Sequence, residues 1–204
     1  MQLRVPNEAF TRLRLRDCAA LCEQMDASRE LRGFVTANAT FETLLQSMIN
    51  HEFWTDAVSL LAHGMAPRPS VWWAAQLCGA RLSGMPAAEP SAQAQTQVLE
   101  LAKQWVMTPE EDIREAAYRA VSGIADSTPA YWTGMAVFWA TGNITPDAGA
   151  VTPPPPYLYA RGVSAAITLA ANLAGEDRVQ VYEQALRSGM DIAGGGTGDL
   201  TADA

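Results

Sequence analysis

Apolar positions along this chain recur mostly at spacings of three and four, the period of one face of an α-helix. Leu15, Cys18, Leu21, Cys22 and Met25 form a first stripe. Phe41, Leu44, Leu45, Met48 and Ile49 form a second, with Thr40 placed to cap it. Phe53, Trp54, Ala57, Val58 and Leu61 continue until Gly64, so this pair reads as a helical hairpin. Asp26 to Asn38, between the first two stripes, reads as a connection with some helical character. After Pro67 and Pro69 the polar side disappears: Val71, Trp72, Trp73, Ala75, Leu77, Cys78 and Leu82 predict a helix apolar nearly all round, which places it centrally. Ser83-Gly84-Met85-Pro86 closes it, and Ala87 to Gln95 reads as a small polar linker.

Farther on, Val98, Leu101, Ala102 and Trp105 share one face. Thr108 is the expected cap of a helix carrying Ile113, Ala116, Ala117, Ala120 and Ile124, whose first-turn acids complement the helix dipole. Ser127-Thr128-Pro129 opens a helix with Tyr131, Trp132, Met135, Phe138 and Trp139, ended by Gly142-Asn143. The last two helices are predicted over about 157–173 and 176–192. Proline at or near the start of helices at 69, 109, 129 and 156 fits this reading, because the first helical N–H has no intrahelical partner to lose. No segment sustains the period-two alternation of a strand. The expectation is an all-α, single-domain bundle of about eight or nine helices spanning 1–193, with an irregular stack of helical hairpins as the variant. The first dozen residues are expected to be loosely held, and 194–204 to form a flexible glycine-rich tail.

With 204 residues the chain suits one sizeable core, and only 18% of residues are charged. A formal charge of −8 repels a phosphate backbone, so nucleic acid is not an expected partner. The basic run Arg12-Leu13-Arg14-Leu15-Arg16 is the local exception, read either as a phosphate or headgroup contact or as a solvated helix start or frayed arm. No secretory signal pattern opens the chain and no stretch of about 20 apolar residues occurs, so a cytoplasmic protein without a membrane partner is expected. Cys18, Cys22 and Cys78 are too few for a disulfide framework and read as buried thiols.

Catalytic and metal patterns are incomplete. His51-Glu52 lacks the second histidine of a zinc-protease helix, Thr55 standing in its place. Gly162-Val163-Ser164-Ala165-Ala166 lacks the second glycine of a nucleophile elbow, and Gly189 to Gly194 is followed by glycines where a phosphate loop needs lysine. Glu110, Glu111, Asp112 and Glu115 crowd one helix start, where capping and solvation account for them. No metal, no cofactor and no enzymatic activity are therefore expected. The aromatic residues Trp72, Trp73, Trp132 and Trp139 read first as core and second as the lining of a ligand pocket.

One segment stands apart. Ile144 to Pro156 is a long loop with five prolines, and Pro153, Pro154, Pro155 and Pro156 run directly into Tyr157 and Tyr159. Four prolines favour a stiff polyproline II segment without hydrogen-bond donors, suited either to docking against an aromatic groove or to acting as a rigid connection. These six residues are the candidate protein-binding site.

The segments His51 to Gly64, Pro69 to Cys78, Pro154 to Val163 and Gly189 to Gly196 resemble an uncharacterised bacterial family of helical proteins. The resemblance covers about residues 40–196. Members of that family occur beside genes for type VI secretion effectors and spike proteins, which implies an adaptor or chaperone for a secreted effector or spike component. The expected function is accordingly a non-enzymatic protein-binding accessory protein. An immunity protein that occludes a toxin, its acidic surface matched to a basic target, is the alternative; a small-ligand-binding helical module is the third.

Overall fold

Local capping chemistry starts the first helices where the periodicity places them. Asp17 accepts from the N–H groups of Ala19 and Ala20 to open α1 (Cys18–Gln24), and Ser28 caps the short α2 (Arg29–Arg32). Thr40 and Thr43 form a reciprocal capping box at α3 (Phe41–Asn50). After a turn in which Glu52 adopts a left-handed φ of 59°, α4 runs over Trp54–Gly64. The chain continues through α5 (Pro67–Leu82), α6 (Pro90–Met107), α7 (Glu111–Val121), α8 (Pro129–Phe138), α9 (Leu158–Asn172) and α10 (Arg178–Gly194), the last preceded by a 3-10 turn at Gly175–Asp177. The computed structural model describes residues 3–6, 10–36, 38–83, 90–145 and 150–199. Among them the fold is all-α, with ten helices; the one beyond expectation is α2, inside the connection that looked partly helical. No described helix is long and apolar enough to cross a membrane.

Proline opens fewer helices than its positions suggested. Pro67 and Pro129 do so, Thr128 accepting from the Tyr131 N–H as cap of α8, and Pro90, which was not among the expected starts, opens α6. Pro109 and Pro156 instead stand two residues ahead of α7 and α9. Thr108 is not the cap of α7, because its own N–H still donates to Gln104 O at the end of α6; Glu110 holds the cap position without a side-chain bond. The linker expected at 87–95 is helical from Pro90, where Ala92 and Gln95 already supply a buried face. The stop at Gly84-Met85-Pro86, the linker as far as Glu89, Pro146 to Gly149 of the proline loop, and Leu200 to Ala204 lie outside the described residues.

Helices α5 and α9 pack on each other at the centre, as the all-round apolar pattern of α5 predicts. α10 packs on both and α4 on α9 and α10, while α8 packs on both and α6 on α5; α7 packs on α6 and α8, and α1 and α3 lie on α4. Small residues bring these helices close. A Cβ on Gly162 of α9 would stand 3.0 Å from the Ala136 Cβ of α8, and one on Gly189 of α10 would stand 2.6 Å from the Trp73 ring. Trp73 is fully buried and donates through Nε1 to Ala185 O at 2.8 Å, so its polar atom is satisfied inside the core. Val98, Val121, Met135 and Phe138 form a second, smaller cluster among α6, α7 and α8.

The described residues at both ends of the chain are held against the body of the fold. Leu3 and Phe10 are buried, and the Val5 N–H donates to the Gln46 side chain, so the described part of the first dozen residues is packed. Residues 10–16 form an irregular strap that turns at Thr11 and Arg12, with Leu13 bridging Met65 and the N–H groups of Arg14 and Leu15 donating to Gly64 O. Gly195 terminates α10 with a φ of 110°, a backbone state that favours glycine. Beyond it the supposed flexible tail is fastened through Gly198: Ser188 Oγ donates to Gly198 O, the Gly198 N–H to Asp191, and Trp72 Nε1 to Thr197 O. Glycine here serves tight turns against side chains rather than looseness.

Candidate functional site

The proline loop is tied at its base by one asparagine. Asn143 Oδ1 accepts from the N–H groups of Thr145 and Thr152, while Ile144 N–H donates to Thr152 O and Thr145 Oγ1 to Thr152 Oγ1. From this closure Val151, Pro153, Pro155 and Pro156 emerge exposed, with Pro154 half-buried, before the Leu158 N–H donates to Pro155 O and α9 begins. Four candidate prolines thus share one short outer ridge.

The two tyrosines part company. Tyr157 is half-buried, its ring stacked on His63 at 6.3 Å and under the Arg161 guanidinium at 5.6 Å. Tyr159 is core: it is fully buried, burial raises its pKa, and its hydroxyl donates to Met65 O at 2.5 Å. It therefore belongs to the support of the ridge, not to a surface that a partner could touch. Helical spacing puts Tyr159 two positions into a helix whose inner face it occupies, a distinction that adjacency to the prolines concealed.

His63 lies beneath this ridge. Ser59 O, which can only accept, lies 2.8 Å from Nδ1 and so fixes the proton there; Nε2 is buried without a partner. Burial holds its pKa down at about 4, with nearby Arg161 and Arg14 adding to the effect. His51, the other half of the metal candidate, packs elsewhere, between Phe34 and Phe53, with Nδ1 on Ser47 O. Among the described residues no three His, Cys, Asp or Glu side chains gather to hold a metal. Cys18, Cys22 and Cys78 are free, buried thiols, and burial raises the pKa of each, that of Cys78 to about 12. The acidic run disperses too: Glu111 binds Arg114, a hydrogen bond that lowers its pKa, and Glu115 pairs with Arg119.

The feature that pattern reading missed is the use of arginine. Arg12 donates to Gly195 O and Gly196 O at the end of α10, Arg68 to Val106 O at the end of α6, and Arg161 to Gln24 O at the end of α1. Arg114, buried in α7, donates to Phe138 O at the end of α8 while gripping the Glu111 carboxylate through Nε and Nη2. Each guanidinium meets carbonyls left unpaired by a helix end and carrying its negative partial charge. In the basic run, Arg14 donates to Pro156 O and Arg16 binds Glu42 and Phe10 O. The run is not a frayed arm; it is a set of clamps, one of which holds the proline ridge.

The four tryptophans do not form one pocket. Trp73 is core, while Trp132 and Trp139 pair at 6.2 Å, with Trp132 Nε1 on Asp126 O. Trp72 lines an open groove of about 830 Å³ with Trp105, Met107 and the clamp arginines Arg12 and Arg68. A second cavity, of about 470 Å³, opens between α5, α6, α8 and α9, with no tryptophan among the described residues that line it. Neither a curated protein nor a solved structure matches the chain. The model of one family of unknown function does match, over residues 44–193, from α3 through α10 and including the proline ridge. The chain belongs to that family, DUF6931.

Proposed function

We propose that this protein is a non-enzymatic accessory protein that binds another protein, an adaptor or chaperone for a secreted effector or spike component. The exposed ridge of Val151, Pro153, Pro155 and Pro156 carries the reading. It is apolar, it is closed at its base by Asn143, and Arg14 and Tyr157 hold its far end, so little ordering remains to be done when a partner arrives. Proline residues offer such a partner a surface without competing N–H donors. The reading places the protein in the cytoplasm and calls for no cofactor, nucleic acid or membrane.

The test is direct binding to the purified effector and spike proteins encoded beside the gene. Replacing Pro153, Pro155 and Pro156 together by serine is expected to weaken that binding at least tenfold while far-UV circular dichroism stays unchanged. Equal affinity of the triple variant removes the ridge from the reading, and no binding by the wild type to any of these proteins ends it. The net charge of −8 supports immunity against a basic toxin as the second reading. Protection of toxin-expressing cells by this gene alone separates the two.

A further inference from the structure

The cavity between α5, α6, α8 and α9 is built differently from the groove beside Trp72. Its volume, about 470 Å³, falls within the range of small-molecule sites. Leu82, Leu99, Ala170 and Leu173 give it largely apolar walls, and Cys78, whose thiol stays protonated, adds to them. Leu173, at the end of α9, is 67% exposed although its side chain is large and apolar. The polar groups are few: Arg81 with the Ser127 and Thr128 hydroxyls, and the buried amide of Gln95.

Charge narrows the choice of ligand. Among the described residues the lining holds one cation and no carboxylate. Arg12, Arg68, Arg114 and Arg161 are each engaged by carbonyls at helix ends, but Arg81 has no hydrogen-bond or ion-pair partner among the described residues. A guanidinium is a planar fork of donors matched to a carboxylate. The start of α8, at Pro129 in the same lining, adds the positive end of a helix dipole. At about 30 Å³ for each water-sized group, a ten-carbon chain with its carboxylate takes about 360 Å³ and fits within this space.

We propose that this cavity binds a medium-chain monocarboxylate, its tail against Leu82, Leu99 and Ala170 and its carboxylate on Arg81. The site is separate from the proline ridge and does not rest on the protein-binding reading.

Calorimetric titration of the full chain with decanoate, decanol and decyltrimethylammonium tests it. Decanoate is expected to bind saturably and about tenfold more tightly than decanol, one charge-assisted contact's worth of preference. Arg81→Gln, at an exposed position that leaves the core intact, should erase that preference. Leu173→Glu, at the exposed rim, should weaken decanoate and favour decyltrimethylammonium. No saturable binding of decanoate, a wild type that does not prefer it to decanol, or an Arg81→Gln variant that keeps the preference would each overturn the proposal.

Discussion

Trp73 and Arg12 do the same topological task with opposite means. Trp73 joins α5 to α10 across 112 positions of sequence, and Arg12 joins the N-terminal strap to the end of α10 across 183. The tryptophan is fully buried, and Gly189 supplies the space its ring needs. The arginine is exposed, and its side chain holds on through hydrogen bonds to Gly195 O and Gly196 O. An apolar joint draws on area removed from water and tolerates no gap. A guanidinium joint draws on carbonyls that a helix end has left unpaired, and water competes for them throughout. The interior should therefore fail as a unit when its joint is cut, whereas the outer layer should loosen locally.

The strongest way to break the contrast is Trp73→Ala. Emptying a fully buried indole site is expected to cost roughly 3–5 kcal/mol. For a chain of this size the melting temperature should fall by roughly 10–15 °C, in a single transition followed by circular dichroism. A loss below about 1 kcal/mol would mean that α5 is not the centre its packing indicates.

His63 lies where the two kinds of joint meet, under Tyr157 and near Arg14, and it sharpens the comparison through pH. Its folded pKa of about 4 is below the ordinary 6.5 because burial disfavours the charged ring. The unfolded chain therefore binds the proton more readily. Stability from this group is complete above pH 6.5, is lost as pH falls from 6.5 toward 4, and levels off below that. Between about pH 7.5 and 4.5 the wild type should lose roughly 2–3 kcal/mol more than His63→Gln, measured by urea unfolding. Parallel pH dependences of the two proteins would show that the ring is solvated after all.

Legibility in the sequence divides along the same line. Apolar stripes marked α1, α3, α4, α5, α6, α7 and α8, because burial of one helix face imposes a period on which residues are allowed. The central place of α5 was visible for the same reason: only an interior helix does without a polar side. Arg12, Arg68, Arg114 and Arg161 carry no such period. Each reaches carbonyls 24 to 184 positions away, and no residue type marks a carbonyl as unpaired. Read locally, the strap became a loose arm and Gly194 to Gly198 a flexible tail, since the residues that fasten them lie at the other end of the chain. At the candidate site the prolines were legible as a rigid exposed segment. Tyr159 was not, because its role depends on Met65, brought close only by the packing of α4 on α9.

The smallest expected effect falls on the outer joint. Arg12→Ala removes two side-chain hydrogen bonds at an exposed site, but the Arg12 N–H still donates to Ala193 O and Thr11 Oγ1 to Gly194 O. Global stability should therefore drop by only about 0.5–1.5 kcal/mol. The local consequence should be sharper. The carbonyls of Gly195 and Gly196 lose their cation, so the turn that leads to Thr197 and Gly198 should open more often than the body of α10. Hydrogen exchange at the amides of 195–199 is expected to accelerate severalfold in Arg12→Ala, while amides near Trp73 keep their wild-type rates. Arg12→Lys retains the charge but not the planar fork, and should restore only part of the protection. Equal acceleration in both regions would mean that strap and core open together, so that the guanidinium contact is part of the cooperative unit and the contrast with Trp73 is one of chemistry alone.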